Sequence, residues 1–78
     1  MNEWSPREAI AMERRHILDG KERIARQEKL VRELISAKRD RLAVEGNELL
    51  GIMRDILAFA ESRLRELEAR SGQQPKSN

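Results

Sequence analysis

The sequence predicts an all-α fold, an antiparallel two-helix hairpin of the coiled-coil type. Composition is the first reason, because charged residues make up 38% of the chain and aromatic residues only 3%. Such a balance is typical of long exposed helices. Apolar periodicity is the second, since β-branched residues recur every seven positions in the first half and a wider apolar stripe follows in the second half. The heptad series consists of Ile10, Ile17, Ile24 and Val31.

The first helix is expected over residues 6–37. Ser5 can accept a hydrogen bond from the backbone of Glu8, and Pro6 suits the first helical position, so this segment has the form of a helix start. Gly20 interrupts the helix without ending it, at a cost of about 1 kcal/mol relative to alanine. Acidic residues placed four positions before basic ones should support the helix. The predicted pairs are Asp19–Arg23, Glu22–Arg26 and Glu28–Arg32.

The second helix is expected over residues 41–70. Its apolar residues recur at steps of three and four and cover about half of the helix circumference, which is wider than the seam of a two-stranded coil. Residues 71–78 are polar and include Gly and Pro, so a disordered tail is expected there. The apolar residues of this half are Leu42, Leu49, Leu50, Ile52, Met53, Ile56, Leu57, Phe59, Ala60, Leu64 and Leu67.

The connection between the helices is weakly marked, because it contains neither Gly nor Pro. We place the turn at residues 37–41, with Asp40 as the N-cap of the second helix. The alternative is one bent helix that continues to a turn at Gly46 and Asn47. A turn near residue 40 makes the helices antiparallel neighbours, in which the numbers of facing residues total about 80.

The predicted seam between the helices follows from this register. Gln27 is a polar residue at a seam position, where it can fix the register of the two helices. Gly20 is expected to accommodate Phe59 or Ala60. The predicted seam residues are Ile10, Ile17, Gly20, Ile24, Gln27, Val31, Leu34, Leu49, Met53, Ile56, Ala60, Leu64 and Leu67.

The wide stripe of the second helix predicts a partner, because one neighbouring helix covers only part of it. Two hairpins that pair as a homodimer into a four-helix bundle would cover the remainder. A different protein is the alternative partner. The predicted partner surface consists of Leu50, Ile52, Leu57 and Phe59.

The sequence gives no basis for catalysis, so we do not expect an enzyme. Cysteine is absent, which excludes disulfides and thiolate chemistry and fits a cytoplasmic protein. His16 is the single histidine, and no second histidine or cysteine is available to complete a metal site. Glycine-rich phosphate loops and nucleophile elbows are missing, and no cofactor, metal or small-molecule ligand is expected. No apolar run approaches the roughly 18 residues of a transmembrane helix.

Binding to RNA or DNA is the alternative function. The first 41 residues carry 11 basic and 8 acidic side chains, whereas residues 42–70 carry 4 and 6. Acidic residues therefore interrupt the basic ones, and no aromatic residue lies among them to stack on a base. We favour a solvated, ion-paired face on a helical interaction or regulatory module. The candidate nucleic-acid face consists of Arg15, Arg23, Arg26, Lys29 and Arg32.

Two stretches resemble a group of short alpha-proteobacterial proteins that have no established activity. Residues 14–34 read RRHILDGKERIARQEKLVREL, and residues 48–64 read ELLGIMRDILAFAESRL. The first is similar to a helix of the form RxxHxxxGExRIxRQ, and the second to one of the form LLxxMxxxL. The resemblance implies a bacterial helical protein and transfers no functional site. The matching residues are Arg14, Arg15, His16, Gly20, Glu22, Arg23, Ile24, Arg26, Gln27, Glu28, Leu49, Leu50, Met53 and Leu57.

Overall fold

The computed structural model describes residues 5–72, and in this range the chain is a pair of packed antiparallel α-helices without a β-strand. Helix α1 comprises Pro6–Ser36, and helix α2 comprises Asp40–Gly72. The predicted all-α hairpin is confirmed. The tail was expected to begin at residue 71, but α2 continues to Gly72, and residues 73–78 lie outside the described range.

Helix α1 begins as its sequence predicts. Ser5 has an extended backbone with φ −115° and ψ 118°. Its Oγ accepts a hydrogen bond from the backbone N–H of Glu8 at 3.3 Å, and its carbonyl accepts one from Ala9 at 3.0 Å. Pro6 occupies the first helical position, where its missing N–H leaves no hydrogen bond unmade.

The turn between the helices is a tight left-handed cap. Lys38 has a φ of 61°, the left-handed region that glycine usually occupies. Its N–H donates to the carbonyl of Ile35 at 3.0 Å, and the N–H of Arg39 donates to the carbonyl of Leu34 at 2.8 Å. These two hydrogen bonds form a Schellman motif, which satisfies carbonyls at the end of α1.

The start of α2 differs from the prediction by one residue. Arg39 occupies the N-cap position, because its carbonyl accepts the first intrahelical hydrogen bond, from Ala43 at 2.9 Å. Asp40 is the first residue of the helix, where its negative charge interacts favourably with the positive end of the helix dipole. The alternative turn at Gly46 and Asn47 is wrong, since both residues lie inside α2.

The helices pack along one seam. On α1 the buried residues Ile17, Ile24 and Val31 recur every seven positions. On α2, Ala43 and Leu50 are one heptad apart, and Leu67 lies on the adjacent heptad line of Met53 and Ala60. No side chain in the described part of the chain is completely buried. The seam is therefore a single line of contact rather than an enclosed core.

The register of the seam is set by the position of the turn. Gly20 lies against Leu57, and Gly46 lies against Val31. The residue numbers total 77 in both pairs, not the predicted 80. A total of 77 places the centre of the turn between Lys38 and Arg39, slightly before the position near residue 40 that the predicted total implies.

Gln27 and Gly46 meet in this seam. Gln27 Nε2 donates a hydrogen bond of 2.9 Å to the backbone carbonyl of Gly46. A Cβ atom added to Gly46 would lie 3.2 Å from Val31 Cγ2 and 3.4 Å from Gln27 Nε2, closer than side chains normally pack. The lack of a side chain at Gly46 thus lets the helices approach until the amide reaches the opposite backbone.

Candidate interaction surface

One long side of the hairpin is bridged by ion pairs, and we call it the ion-paired face. Arg14 Nη2 lies 2.8 Å from Glu68 Oε2, and Arg54 Nη2 lies 2.7 Å from Glu28 Oε2. Arg14 and Glu28 are two heptads apart on α1, and Arg54 and Glu68 have the same spacing on α2. The two bridges therefore lie on the same side. Because these side chains are exposed, each pair contributes at most about 1 kcal/mol to stability.

The opposite long side contains an apolar groove between the helices, and we call it the groove face. Its floor lies where Gly20 meets Leu57, with Ala60 beside them, and the groove has a volume of about 370 Å³. Glu13 and Arg63 bridge its rim, with Oε1 and Nε 3.5 Å apart. The remaining lining residues are His16, Asp19, Arg23, Met53, Ile56 and Phe59.

Large apolar side chains run along α2 on the groove face. Leu49, Ile52, Ile56 and Phe59 have exposed fractions of 47%, 56%, 63% and 72%. They follow one another at intervals of three, four and three residues, the spacing of a coiled-coil seam. We call these four residues the α2 stripe. Helix α2 therefore carries two seams: one packs on α1, and the other, one residue away and rotated by about 100°, faces solvent.

The structure divides the predicted seam and partner surface differently. Leu49 and Ile56 were predicted to lie in the seam, but they are exposed on the α2 stripe. Leu50 was predicted to contact a partner, but it packs against α1 and is only 3% exposed. Leu57, assigned to the same partner surface, lies against Gly20 instead.

The charges at the open end of the hairpin explain this division. The heptad line of Leu49 and Ile56 continues into Arg63 and Arg70, so a seam on that line would bury two guanidinium groups. The parallel line is Ala43, Leu50, Leu57 and Leu64. It stays apolar for its whole length opposite α1, and this difference is the signal that sequence reasoning missed.

The other predicted site residues lie as follows. Gly20 was predicted to accommodate Phe59 or Ala60, but the side chain that contacts it is Leu57. Phe59 lines the same groove and stays exposed on the α2 stripe with Ile52. Gly46 is a seam residue that the prediction omitted. The remaining predicted seam residues are buried or half-buried along the contact between the helices: Ile10, Ile17, Gly20, Ile24, Gln27, Val31, Leu34, Met53, Ala60, Leu64 and Leu67.

The basic residues considered for nucleic acid are exposed but do not form a continuous strip. Two heptad lines on the outer side of α1 alternate in charge: Glu8, Arg15, Glu22 and Lys29 on one, and Asp19, Arg26 and Glu33 on the other. Arg23 lines the rim of the groove, and Arg32 lies near Glu33. Lys29 Nζ is 3.9 Å from Glu33 Oε2. Each row of basic groups is therefore interrupted by acidic ones.

The intrahelical ion pairs predicted for α1 are not formed. Within residues 5–72, none of the three predicted pairs has its charged atoms within 4 Å. Glu28 contacts Arg54 of α2 instead of Arg32. Exposed i,i+4 pairs contribute only about 0.3–0.5 kcal/mol, so a single contact across the seam is enough to draw Glu28 away from Arg32.

His16 is exposed on the rim of the groove. Among residues 5–72, no cluster of three or more His, Asp or Glu side chains could hold a metal ion, and neither helix is long and apolar enough to cross a membrane. No protein-family model matches the chain, and no curated protein or solved structure is significantly similar to it. The resemblance to the alpha-proteobacterial group stays a prediction.

Proposed function

We propose that the chain is a helical interaction module that self-associates through the α2 stripe and acts by binding rather than by catalysis. The α2 stripe itself carries this proposal. Four large apolar side chains at coiled-coil spacing form a surface that helices bury against one another. Contiguous exposed apolar surface of this kind marks interaction sites on soluble proteins. The lack of cysteine supports a cytoplasmic location.

The energetics favour association. Complete burial of a large apolar side chain contributes about 1.5–3 kcal/mol relative to full exposure. In the isolated hairpin, each residue of the α2 stripe keeps about half or more of its surface in water. Because the stripe is continuous, one helix packed along it would cover all four residues.

The test is the association state in solution, measured by sedimentation equilibrium over a range of protein concentrations. The wild-type chain is expected to be dimeric at about 100 µM, a concentration at which micromolar dissociation constants are readily detected. The double variant Ile52→Ser/Phe59→Ser is expected to be monomeric.

A matched control separates the stripe from general surface hydrophobicity. Met12→Ser/Leu18→Ser removes two exposed apolar side chains from α1, away from the stripe. We expect this variant to associate like the wild-type chain. A monomeric wild-type chain, or equal behaviour of the two double variants, would contradict the proposal.

A nucleic-acid titration tests the alternative function. Labelled single-stranded RNA and duplex DNA are titrated at about 50 and about 200 mM salt, a range over which phosphate contacts lose much of their affinity. We expect no binding. Salt-sensitive binding that is lost in Arg23→Ala/Arg26→Ala would replace the interaction module with a nucleic-acid-binding protein.

A further inference from the structure

We propose that the α2 stripe of one copy packs antiparallel against the same stripe of a second copy, around a two-fold axis at residue 54. This inference rests on the proposed self-association and specifies its geometry. A two-fold interface brings the same patch of both copies together, so the patch must be complementary to itself. The α2 stripe meets this requirement in the shape and in the charge of its residues.

The apolar residues pair in layers when the second helix runs in the opposite direction. Ile52 then faces the partner's Ile56, and Leu49 faces the partner's Phe59. The residue numbers total 108 in both layers, so one register satisfies both. Each layer occurs twice because of the symmetry, and the four layers form one continuous apolar core between the two α2 helices.

Charges close this core at both ends. Glu45 precedes the stripe on the heptad line of Ile52 and Phe59, and Arg63 follows it on the line of Ile56. The same register places Glu45 opposite the partner's Arg63, so each end carries one ion pair. Arg63 is accessible for this contact, since more than half of its side chain is exposed beside Glu13.

The end charges also determine the orientation. A parallel arrangement would place Glu45 against the partner's Glu45 and Arg63 against the partner's Arg63. Like charges in direct opposition disfavour an alternative partner or register. The antiparallel pairing of two copies is therefore the arrangement that covers the stripe and pairs its terminal charges.

The experiment exchanges these charges one at a time. Glu45→Arg and Arg63→Glu each convert two attractive contacts of the dimer into repulsive ones, so each is expected to raise the dissociation constant at least 10-fold. An equimolar mixture of the two variants restores both contacts in the heterodimer, and the double variant Glu45→Arg/Arg63→Glu restores them in the homodimer. Both are expected within about threefold of wild type by sedimentation equilibrium.

Two controls accompany the exchange. Glu22→Arg makes the same charge change as Glu45→Arg on the outer side of α1, and it should leave the dissociation constant unchanged. Arg63→Glu also removes the contact with Glu13, so circular dichroism must show that its helix content is retained. Glu45→Arg provides the same test without touching that contact.

Cysteine cross-linking is an independent measure of the relative orientation of the two α2 helices. It is specific because the native chain contains no cysteine. A mixture of Glu45→Cys and Arg63→Cys chains should form mixed disulfide dimers on oxidation. Disulfides formed by Glu45→Cys chains alone would indicate a parallel pair and overturn the inference. Unchanged dissociation constants for both single charge variants would also overturn it. In either case, loss of association in Ile52→Ser/Phe59→Ser still supports the proposed function, whereas a monomeric wild-type chain rejects both.

Discussion

At the scale of single residues, Lys38 ends α1 in a left-handed conformation without the help of a glycine. Helix ends of this type usually carry glycine at the left-handed position, because other residues are strained there by their Cβ atom. Here the position is occupied by Lys38, with φ 61°. The hydrogen bonds of Lys38 and Arg39 to the end of α1 maintain the conformation. The signal that marks such a turn in a sequence is therefore missing, although the turn itself is regular.

The strain at Lys38 leads to a prediction about stability. Lys38→Gly is expected to raise the free energy of unfolding by about 1 kcal/mol, since the left-handed conformation costs a residue with a Cβ atom about 1–2 kcal/mol and glycine loses some of this gain through its greater unfolded-state entropy. Urea unfolding followed by circular dichroism measures the change. Lys38→Ala is the control, because it removes the same charge and retains the Cβ atom. Equal effects of the two substitutions would show that the charge, not the backbone, is responsible.

At the scale of helices, the sequence correctly predicted the features that nearby residues determine. Ser5, Pro6 and Glu8 define the start of α1, and the heptad series of α1 defines the face that packs. Local sequence does not determine which heptad line of α2 packs against α1, the line of Leu49 and Ile56 or the line of Leu50 and Leu57. Both lines are apolar in the middle of α2, and the choice depends on which residues lie opposite α1 near the ends of the hairpin.

Gly46 and Gly51 of α2 test how closely the helices pack. Gly46→Ala is expected to lower the free energy of unfolding by about 1–2 kcal/mol, because overpacking against Val31 and loss of the Gln27 hydrogen bond outweigh the gain in helix propensity. Gly51 has no atom within 4 Å of an added Cβ. Gly51→Ala is therefore expected to stabilise the chain by about 1 kcal/mol. Thermal unfolding of the two variants measures both effects, and stabilisation by Gly46→Ala would show that the helices do not approach so closely.

At the scale of the whole molecule, the hairpin is one layer of helices, with a least dimension of 14 Å. A chain of 78 residues is close to the size at which a single core is marginal. The layer formed by residues 5–72 has no completely buried side chain, so it encloses less than a compact domain of that size. The sequence predicted this deficit from the width of the apolar stripe on α2. It predicted the exposure of Ile52 and Phe59 but placed Leu50 and Leu57 beside them instead of Leu49 and Ile56. That choice depends on the register set by Lys38 and on the charges of Arg63 and Arg70.

The geometry of the proposed dimer predicts different consequences for two acidic residues on one side of α2. Asp55 and Glu48 lie one heptad apart on the exposed outer edge of α2. In the antiparallel pairing, Asp55 lies within about 3 Å of the partner's Asp55 along the helix axis, because it is next to the two-fold axis. Glu48 instead lies near the partner's Ser62. Like charges therefore meet at Asp55 and not at Glu48.

Asp55→Asn is accordingly expected to tighten the dimer about threefold, whereas Glu48→Gln should change its dissociation constant less than twofold. Sedimentation equilibrium at low salt measures both values. The effect of Asp55→Asn should decrease at about 1 M salt, where the Debye length is only about 3 Å and repulsion between exposed carboxylates is screened. The two substitutions change the net charge by the same amount, so repulsion between whole molecules would affect both equally. Equal tightening by Asp55→Asn and Glu48→Gln would thus contradict a two-fold axis beside Asp55, because only proximity to that axis distinguishes the two residues.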